Sequence, residues 1–408
     1  MKYLLKILIV SISIINYTYS QELIQVSMGS GYEYDLYYSA EQGITAFSER
    51  ENWELAFSTN GNNIRINSSY ANLYQVSNNI EDWGKINNLD INTSTQLRNS
   101  NKEWKIGAFV SNYFDKNPLN YGWGNYNTET EIYEGCRIYI IEYNNEIKKI
   151  KINELVDGIF NFTMANLDGS NEENISIDTN PYLNKKFIYY SLANNEVINR
   201  EPLSENWDLI FTRYEEEYVS LNGDTMPYIV TGVLTNQNLI AQYDGAIDII
   251  PNTESLNIST EINTIGYDWK EYSGEFLIVP NRAYYLFSQD ESSLYKILFQ
   301  SFSGQSSGDL SFTIEEIEDF IPINNINSEK NNLFNIYPNP NNGIFNVNLN
   351  TQNAVLTIID INGKIVLKEN INQSLTLNLS SLNEGLFLIN LNGEKFNISK
   401  KILIKKKT

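Results

Sequence analysis

The 408-residue chain carries 29 basic against 50 acidic residues, a net charge of −21, with no histidine and a single cysteine. The missing imidazole excludes Ser-His-Asp and Cys-His catalysis, histidine zinc sites and bis-histidine haem ligation, and a lone thiol excludes an intrachain disulfide. An apolar fraction of 42%, with 28 Tyr and 18 Phe, suffices for packed cores and tilts propensity toward strands.

Residues 1–20 read as a signal peptide: Lys2 and Lys6 flank the short apolar run LLKILIVSISII, which ends in small and polar residues at Thr18 to Ser20. The mature chain is expected to begin near Gln21 and to be exported. No later stretch is apolar for long enough to span a bilayer, so no transmembrane segment is expected in the mature protein. The tail from residue 331 carries +4, from eight Lys and four acids, and the leader +2, which leaves −27 on residues 21–330. A body of that charge repels phosphate backbones, and nucleic acid is not expected as a partner.

The body repeats itself. YYSA at Tyr37 to Ala40 precedes NWELAF at Asn52 to Phe57, and YYSL at Tyr189 to Leu192 precedes NWDLIFTRY at Asn206 to Tyr214. Each copy closes on three alternating segments, IYIIEY, KKIKI and GIFNFTMANL at 138–167 against AYYLFS, YKILF and GDLSFTIEEI at 283–317. Two β units are therefore expected, at residues 21–183 and 184–320, each the size of a domain rather than of a solenoid repeat. In NWDLIF, alternation would place Trp207, Leu209 and Phe211 on one face and Asp208 and Ile210 on the other. Trp53 and Trp207 are then equivalent positions, expected in the core, with a ligand platform as the functional alternative.

Further candidates follow along the chain. Trp123, in the Gly-broken aromatic loop YGWGNY, either stacks on a sugar or plugs one end of a sandwich. Cys136, in EGCRIY, is expected as a small core residue inside a strand. Asp168, Asn171, Glu172 and Glu173 share one turn whose oxygens suit Ca²⁺, without EF-hand spacing, or form a solvated loop. EEEY at Glu215 to Tyr218 reads as a charged hairpin end. Met226, in GDTMPY, precedes Pro227 at a strand start.

NWDLIFTRY, YIVTGVL, GYDWK, YKILFQSF and GDLSFTIEEI resemble the HmuY-like family of bacterial surface proteins, over roughly residues 21–320. The resemblance implies exported β-sandwich-like units and capture of haem or porphyrin. The family's founding members clasp iron through a histidine pair, which this chain lacks. Relatives with Met ligands leave Met28, Met164 and Met226 as candidates, Met226 being the best placed and Met164 expected in a core. No cofactor is expected otherwise.

After the polar linker IPINNINSEK, assigned to residues 321–331, the pattern changes to short strands with Gly-containing turns. Asn341, Asn342 and Gly343 are expected to turn the chain into a first strand at Ile344 to Leu349, entered in extended conformation through two prolines, and Asn362 with Gly363 to close a hairpin. The order YPNP, DINGK, LxLxxLxxG and KKILIK closely resembles the type A C-terminal sorting domain of the type IX secretion system, over residues 332–408. Its motif residues here are Tyr337, Pro338, Asn339, Pro340, Gly343, Asp360, Gly363 and Gly385. The resemblance implies a cell of the Bacteroidetes type, the secretion machinery as partner, and a secreted or outer-surface location.

The fold expected is thus mainly β, two tandem HmuY-like antiparallel sandwich-type units followed by a small sandwich for sorting. The body is expected to be a non-catalytic module for an unknown extracellular ligand or surface. Haem binding with non-histidine ligation and carboxylate-based hydrolysis of extracellular glycans are the alternatives.

Overall fold

The computed structural model describes residues 22–90, 93–110, 119–219, 222–247, 251, 256–317, 334–349, 354–360, 364–392 and 397–406. The leader, the 321–331 linker and Gly363 lie outside them. The chain divides into a body that closes at Ile317 and a C-terminal unit from Glu318 onward. The described residues are mainly β, in antiparallel sheets.

The body contains two packed sandwiches. In the first, strand Glu173–Asp178 leads a sheet through Ile159–Asn166, Glu146–Val156, Ile138–Tyr143 and Ala71–Ser77 to Thr95–Leu97. It faces a four-stranded sheet of Glu196–Ile198, Phe187–Ser191, Leu55–Ser58 and Ile64–Ile66 across a core of Phe57, Ile64, Tyr139, Phe160, Phe162 and Ile188. In the second, strand Glu22–Ser27 leads a sheet through Asp309–Glu316, Leu294–Phe302, Arg282–Phe287 and Ile240–Asp244 to Ile258–Ser259. Its partner sheet is Thr225–Thr235, Leu209–Val219, Tyr34–Ser39 and Gly43–Glu49, across a core of Leu36, Tyr38, Phe211, Tyr284, Phe299 and Phe312.

The sequence repeat and the packed cores are out of phase. Tyr34–Ser39 from the first copy pairs with Leu209–Val219 from the second, and Phe187–Ser191 from the second pairs with Leu55–Ser58 from the first. Matching hydrogen bonds mark the exchange. The backbone N–H of Ala40 donates to the Asp208 carboxylate at 2.8 Å, and that of Leu192 to the Glu54 carboxylate at 2.6 Å. Asp208 N–H meets the Tyr38 carbonyl at 2.8 Å, and Glu54 N–H the Tyr190 carbonyl at 3.1 Å. One sandwich is therefore built from about residue 54 to 200 without interruption. The other joins 22–49 to 209–316, so the expected boundary at 183/184 divides the repeat without dividing the cores.

Edge chemistry is consistent with this topology. Pro227 lies in Thr225–Thr235, an edge strand, where its missing N–H breaks no ladder. Gly107 is required by close approach: a Cβ there would sit 2.1 Å from the Ile64 carbonyl oxygen.

The C-terminal unit has a three-stranded sheet of Phe334–Tyr337, Ile344–Leu349 and Leu375–Asn378. Its second sheet has four strands, Ile365–Ile371, Ala354–Asp360, Gly385–Asn392 and Asn397–Ile404. Phe345, Val347, Leu356, Ile358, Ile389 and Ile402 fill the space between them. Ile344–Leu349 is a strand as expected but the second of this unit, because Phe334–Tyr337 already pairs with it ahead of the prolines. Pro338 to Pro340 form a bend rather than an extended lead-in. Asn341 receives the cost of that bend: its side-chain oxygen accepts the Gly343 N–H at 2.7 Å, and its backbone bonds Leu403 and Lys405.

Candidate binding site

The two four-stranded sheets have opposite outer faces, and those faces carry the chemistry. Alternation along Tyr34–Ser39 sends Leu36 and Tyr38 into the second core and leaves Asp35 and Tyr37 on the other side. Along Phe187–Ser191 it sends Ile188 and Tyr190 into the first core and leaves Phe187 and Tyr189 outside. These outward residues meet in a seam between the sandwiches. Tyr37 lies edge-on to Trp207 at 5.2 Å, and Tyr189 edge-on to Trp53 at 4.8 Å, each aromatic pair uniting the two copies. Trp104 spans both clusters, 6.1 Å from Phe187 and 6.2 Å from Trp207.

Charges are buried within this aromatic frame. Arg200 reaches Asp35 at 2.9 Å, with the two side chains 2% and 3% exposed. Asp35 also accepts from the Thr212 hydroxyl at 2.7 Å, and Arg200 donates to the Glu49 carbonyl at 3.0 Å while lying 5.2 Å over the Tyr189 ring. Glu201 accepts from the Lys186 N–H at 2.6 Å and the Tyr189 hydroxyl at 2.8 Å. Burial outweighs those bonds and pushes its pKa up to about 7. Arg65 donates to the carbonyls of Ser100, Glu103, Trp104 and Ile106 at 2.8–3.2 Å and so fixes the loop that presents Trp104 and Lys105. Burial lowers its pKa to about 10, leaving it charged at neutral pH.

The void among these groups is about 80 Å³. That is room for a few waters and far below the about 300–1,000 Å³ of ordinary ligand pockets. Beside it, sharing Trp104, Lys186 and Phe187, an open cleft of about 400 Å³ lies between the loops 58–63 and 183–187.

The structure places the sequence candidates as follows. Trp207 is buried, but on the seam side with Ile210, away from Leu209 and Phe211. The bend at Asp208, whose carboxylate is committed to Ala40, interrupts the alternation expected of NWDLIF. Trp53 is half-buried and lines the seam cavity. Trp123 is no platform: it is fully buried in the first core, its Nε1 donating to the Asn62 carbonyl at 2.8 Å. Cys136 lies just past the strand Ile132–Gly135, half-buried rather than core. The Ca²⁺ set does not converge. Asp168 bonds Ser170, Glu172 accepts from Trp83 Nε1 at 2.7 Å and Glu173 from Asn195 at 3.0 Å. Met28 and Met164 are buried, whereas Met226 is 47% exposed on a hairpin beside Tyr218 and Tyr228. The Arg200–Asp35 pair was not singled out in sequence; its only signal is the RE dipeptide that precedes each NW segment.

Residues 335–405 match the family described as the secretion system C-terminal sorting domain. No curated protein matches the chain. Among solved structures, similarity extends to one described as PorZ, an essential surface component of the type-IX secretion system of Porphyromonas gingivalis. It shares 11% identity over 78% of this chain and 51% of its own, with a TM-score of 0.17. A second is described as a biofilm associated protein, BSP domain, at 10% identity over 89% of this chain and 68% of its own, with a TM-score of 0.16. The chain spans about half the length of the first.

Proposed function

We propose that the chain is a type IX secretion substrate whose body is a non-catalytic binding module, working at the cell surface or in the medium. The sorting-domain match covers the C-terminal strands and makes the chain an exported protein. The observation that supports a binding role is the contrast between seam and cleft. The Arg200–Asp35 pair and the Glu201 carboxyl deep in the seam are engaged within the protein, in a void too small for a substrate. The accessible space beside it is walled by hydrogen-bonding side chains and an aromatic edge.

The seam does hold two carboxyl groups, Asp35 and Glu201, and a raised carboxyl pKa is the mark of a general acid. A glycosidase also needs its sugar between the two groups, with separations of about 5–9.5 Å kept open for ring and water. A cavity of about 80 Å³ leaves no such room. The reading is tested by incubating purified full-length protein with extracellular polysaccharides. Retention without release of new reducing ends is expected, and product release abolished by Glu201→Gln would overturn it.

A further inference from the structure

Lys105, Lys185 and Lys186 converge on the open cleft of a body that is otherwise strongly acidic. None of the three forms an ion pair within 4.0 Å among the described residues. Lys185 donates to the Glu201 backbone carbonyl and Lys186 to the neutral Gln237 side chain. The nearest carboxyl, Glu201, is the one whose burial favours its uncharged form. The positive charge of the cleft is thus met by no ion pair, only by the partial charge of Glu201. Lys186 shows the balance: burial lowers its pKa to about 8, against the pull of Glu201, and Lys105 adds a smaller like-charge repulsion.

Two further features define what would relieve it. The Asn62 side-chain nitrogen is buried in the cleft wall without a hydrogen-bond partner, a donor aimed at nothing within the protein. The remaining wall mixes hydroxyls and amides, Ser58, Thr59, Asn60 and Asn63, with the rings of Trp104 and Phe187. Thr59 and Asn63 are committed to Lys185, Trp104 and Gly107, and the Ser58 hydroxyl and Asn60 amide beside an apolar edge suit the vicinal hydroxyls and the C–H face of a sugar. A net charge of −27 on residues 21–330 disfavours a long phosphate polymer. We propose that this cleft binds a saccharide unit bearing carboxylate or sulfate groups. The acid group meets the lysines and the ring hydroxyls meet Asn62 and its neighbours.

This deepens the binding-module reading and rests on it. The test is calorimetric titration of full-length protein with trigalacturonic acid, a sulfated trisaccharide, neutral maltotriose and hexaglutamate. Lys105 is exposed and outside the seam network, so Lys105→Glu preserves the fold, as an unchanged melting temperature would verify. One or both acidic saccharides should bind, with affinity falling as salt rises, and Lys105→Glu should weaken them about 10-fold or more, while maltotriose binds less. Asn62→Asp should weaken them similarly by placing a carboxylate in the wall. The tighter of the two acidic sugars assigns carboxylate or sulfate. Equal binding of maltotriose, unaffected by Lys105→Glu, would overturn the anion assignment while leaving a carbohydrate-binding module standing. Hexaglutamate binding as tightly as the sugars would overturn the saccharide class, and no binding of any probe would overturn the site.

Discussion

Asp35 and Arg200 meet at 2.9 Å from opposite copies of the repeat, and both are almost wholly withdrawn from water. Taking two charges out of water is costly, and the pair is supported by the Thr212 hydroxyl and by the Ser48 and Glu49 carbonyls, while the Arg200 Nε stays buried without a partner. Asp35→Ala leaves the Arg200 guanidinium buried without its counter-charge and should destabilise by about 3–5 kcal/mol. The double variant Asp35→Leu with Arg200→Met should cost less than either single truncation. Denaturant unfolding of the four proteins checks both statements, and additive losses would show that the two side chains act independently.

Glu201 gives the body a pH dependence opposite to that of ordinary surface carboxylates. Its folded pKa of about 7 lies above the ordinary glutamate value of 4.5, so the folded state holds a proton that the unfolded chain has lost. Stability contributed by the protonated group is complete below about pH 4.5 and is lost as pH rises through about 7. The full effect is on the order of 3 kcal/mol from the size of that shift. Glu201→Gln keeps an acceptor for the Lys186 N–H and cannot ionise. Unfolding free energies at pH 5 and pH 8 should therefore converge in the variant relative to the parent.

Fragments separate the repeat from the cores. Residues 51–203 include every strand of the first sandwich and should fold cooperatively when expressed alone. Residues 21–183 carry one full sequence copy but lack Phe187–Ser191, the neighbour of Leu55–Ser58, and include Tyr34–Ser39 without Leu209–Val219, one of its two partners. That fragment should show no cooperative melting. A sharp transition in 21–183 and none in 51–203 would mean that the copies pack within themselves.

Removal of residues 318–408 should hold the protein inside the outer membrane with its body intact, since the body cores contain no side chain from the tail. Fractionation of cells producing the truncated chain, followed by limited proteolysis of the retained species, measures both parts. Normal amounts in the medium would contradict an export role for the tail.

Haemin should associate weakly and without a defined spectrum. The thioethers of Met28 and Met164 are in closed cores and that of Met226 stands alone on an exposed hairpin. Absorbance titration of the parent and of Met226→Ala should give superimposable curves. A stoichiometric shift abolished by the substitution would restore the haem-binding alternative.

Much of the architecture could be read from residue patterns, and the limits have physical causes. The β class follows from alternation in IYIIEY and LTLNL, and the equivalence of Trp53 and Trp207 from their shared NW context. Their environment did not follow, because the carboxylates after them each cap a backbone N–H far away in sequence, Asp208 to Ala40 and Glu54 to Leu192. Strand partners were also hidden. YYS in either copy is chemically suited to LAF or LIF in either copy, and nothing local distinguishes pairing within a copy from exchange. The charged cleft assembles from three loops distant in sequence, and no window of residues displays it.

The strand Glu22–Ser27 pairs with Asp309–Glu316, so the two ends of the body are laced side by side. A chain made from its N-terminus therefore carries Glu22–Ser27 unpaired, and Tyr34–Ser39 paired with Gly43–Glu49 alone, while the middle sandwich, 54–200, already has all of its residues. Only when the last body strand emerges does the second core receive both of its edges, a contact across nearly 290 residues that is slow to close and easily mispaired with another chain. The sorting tail comes after that final strand in the chain, so the signal that commits the protein to export is synthesised only after the piece that completes its fold.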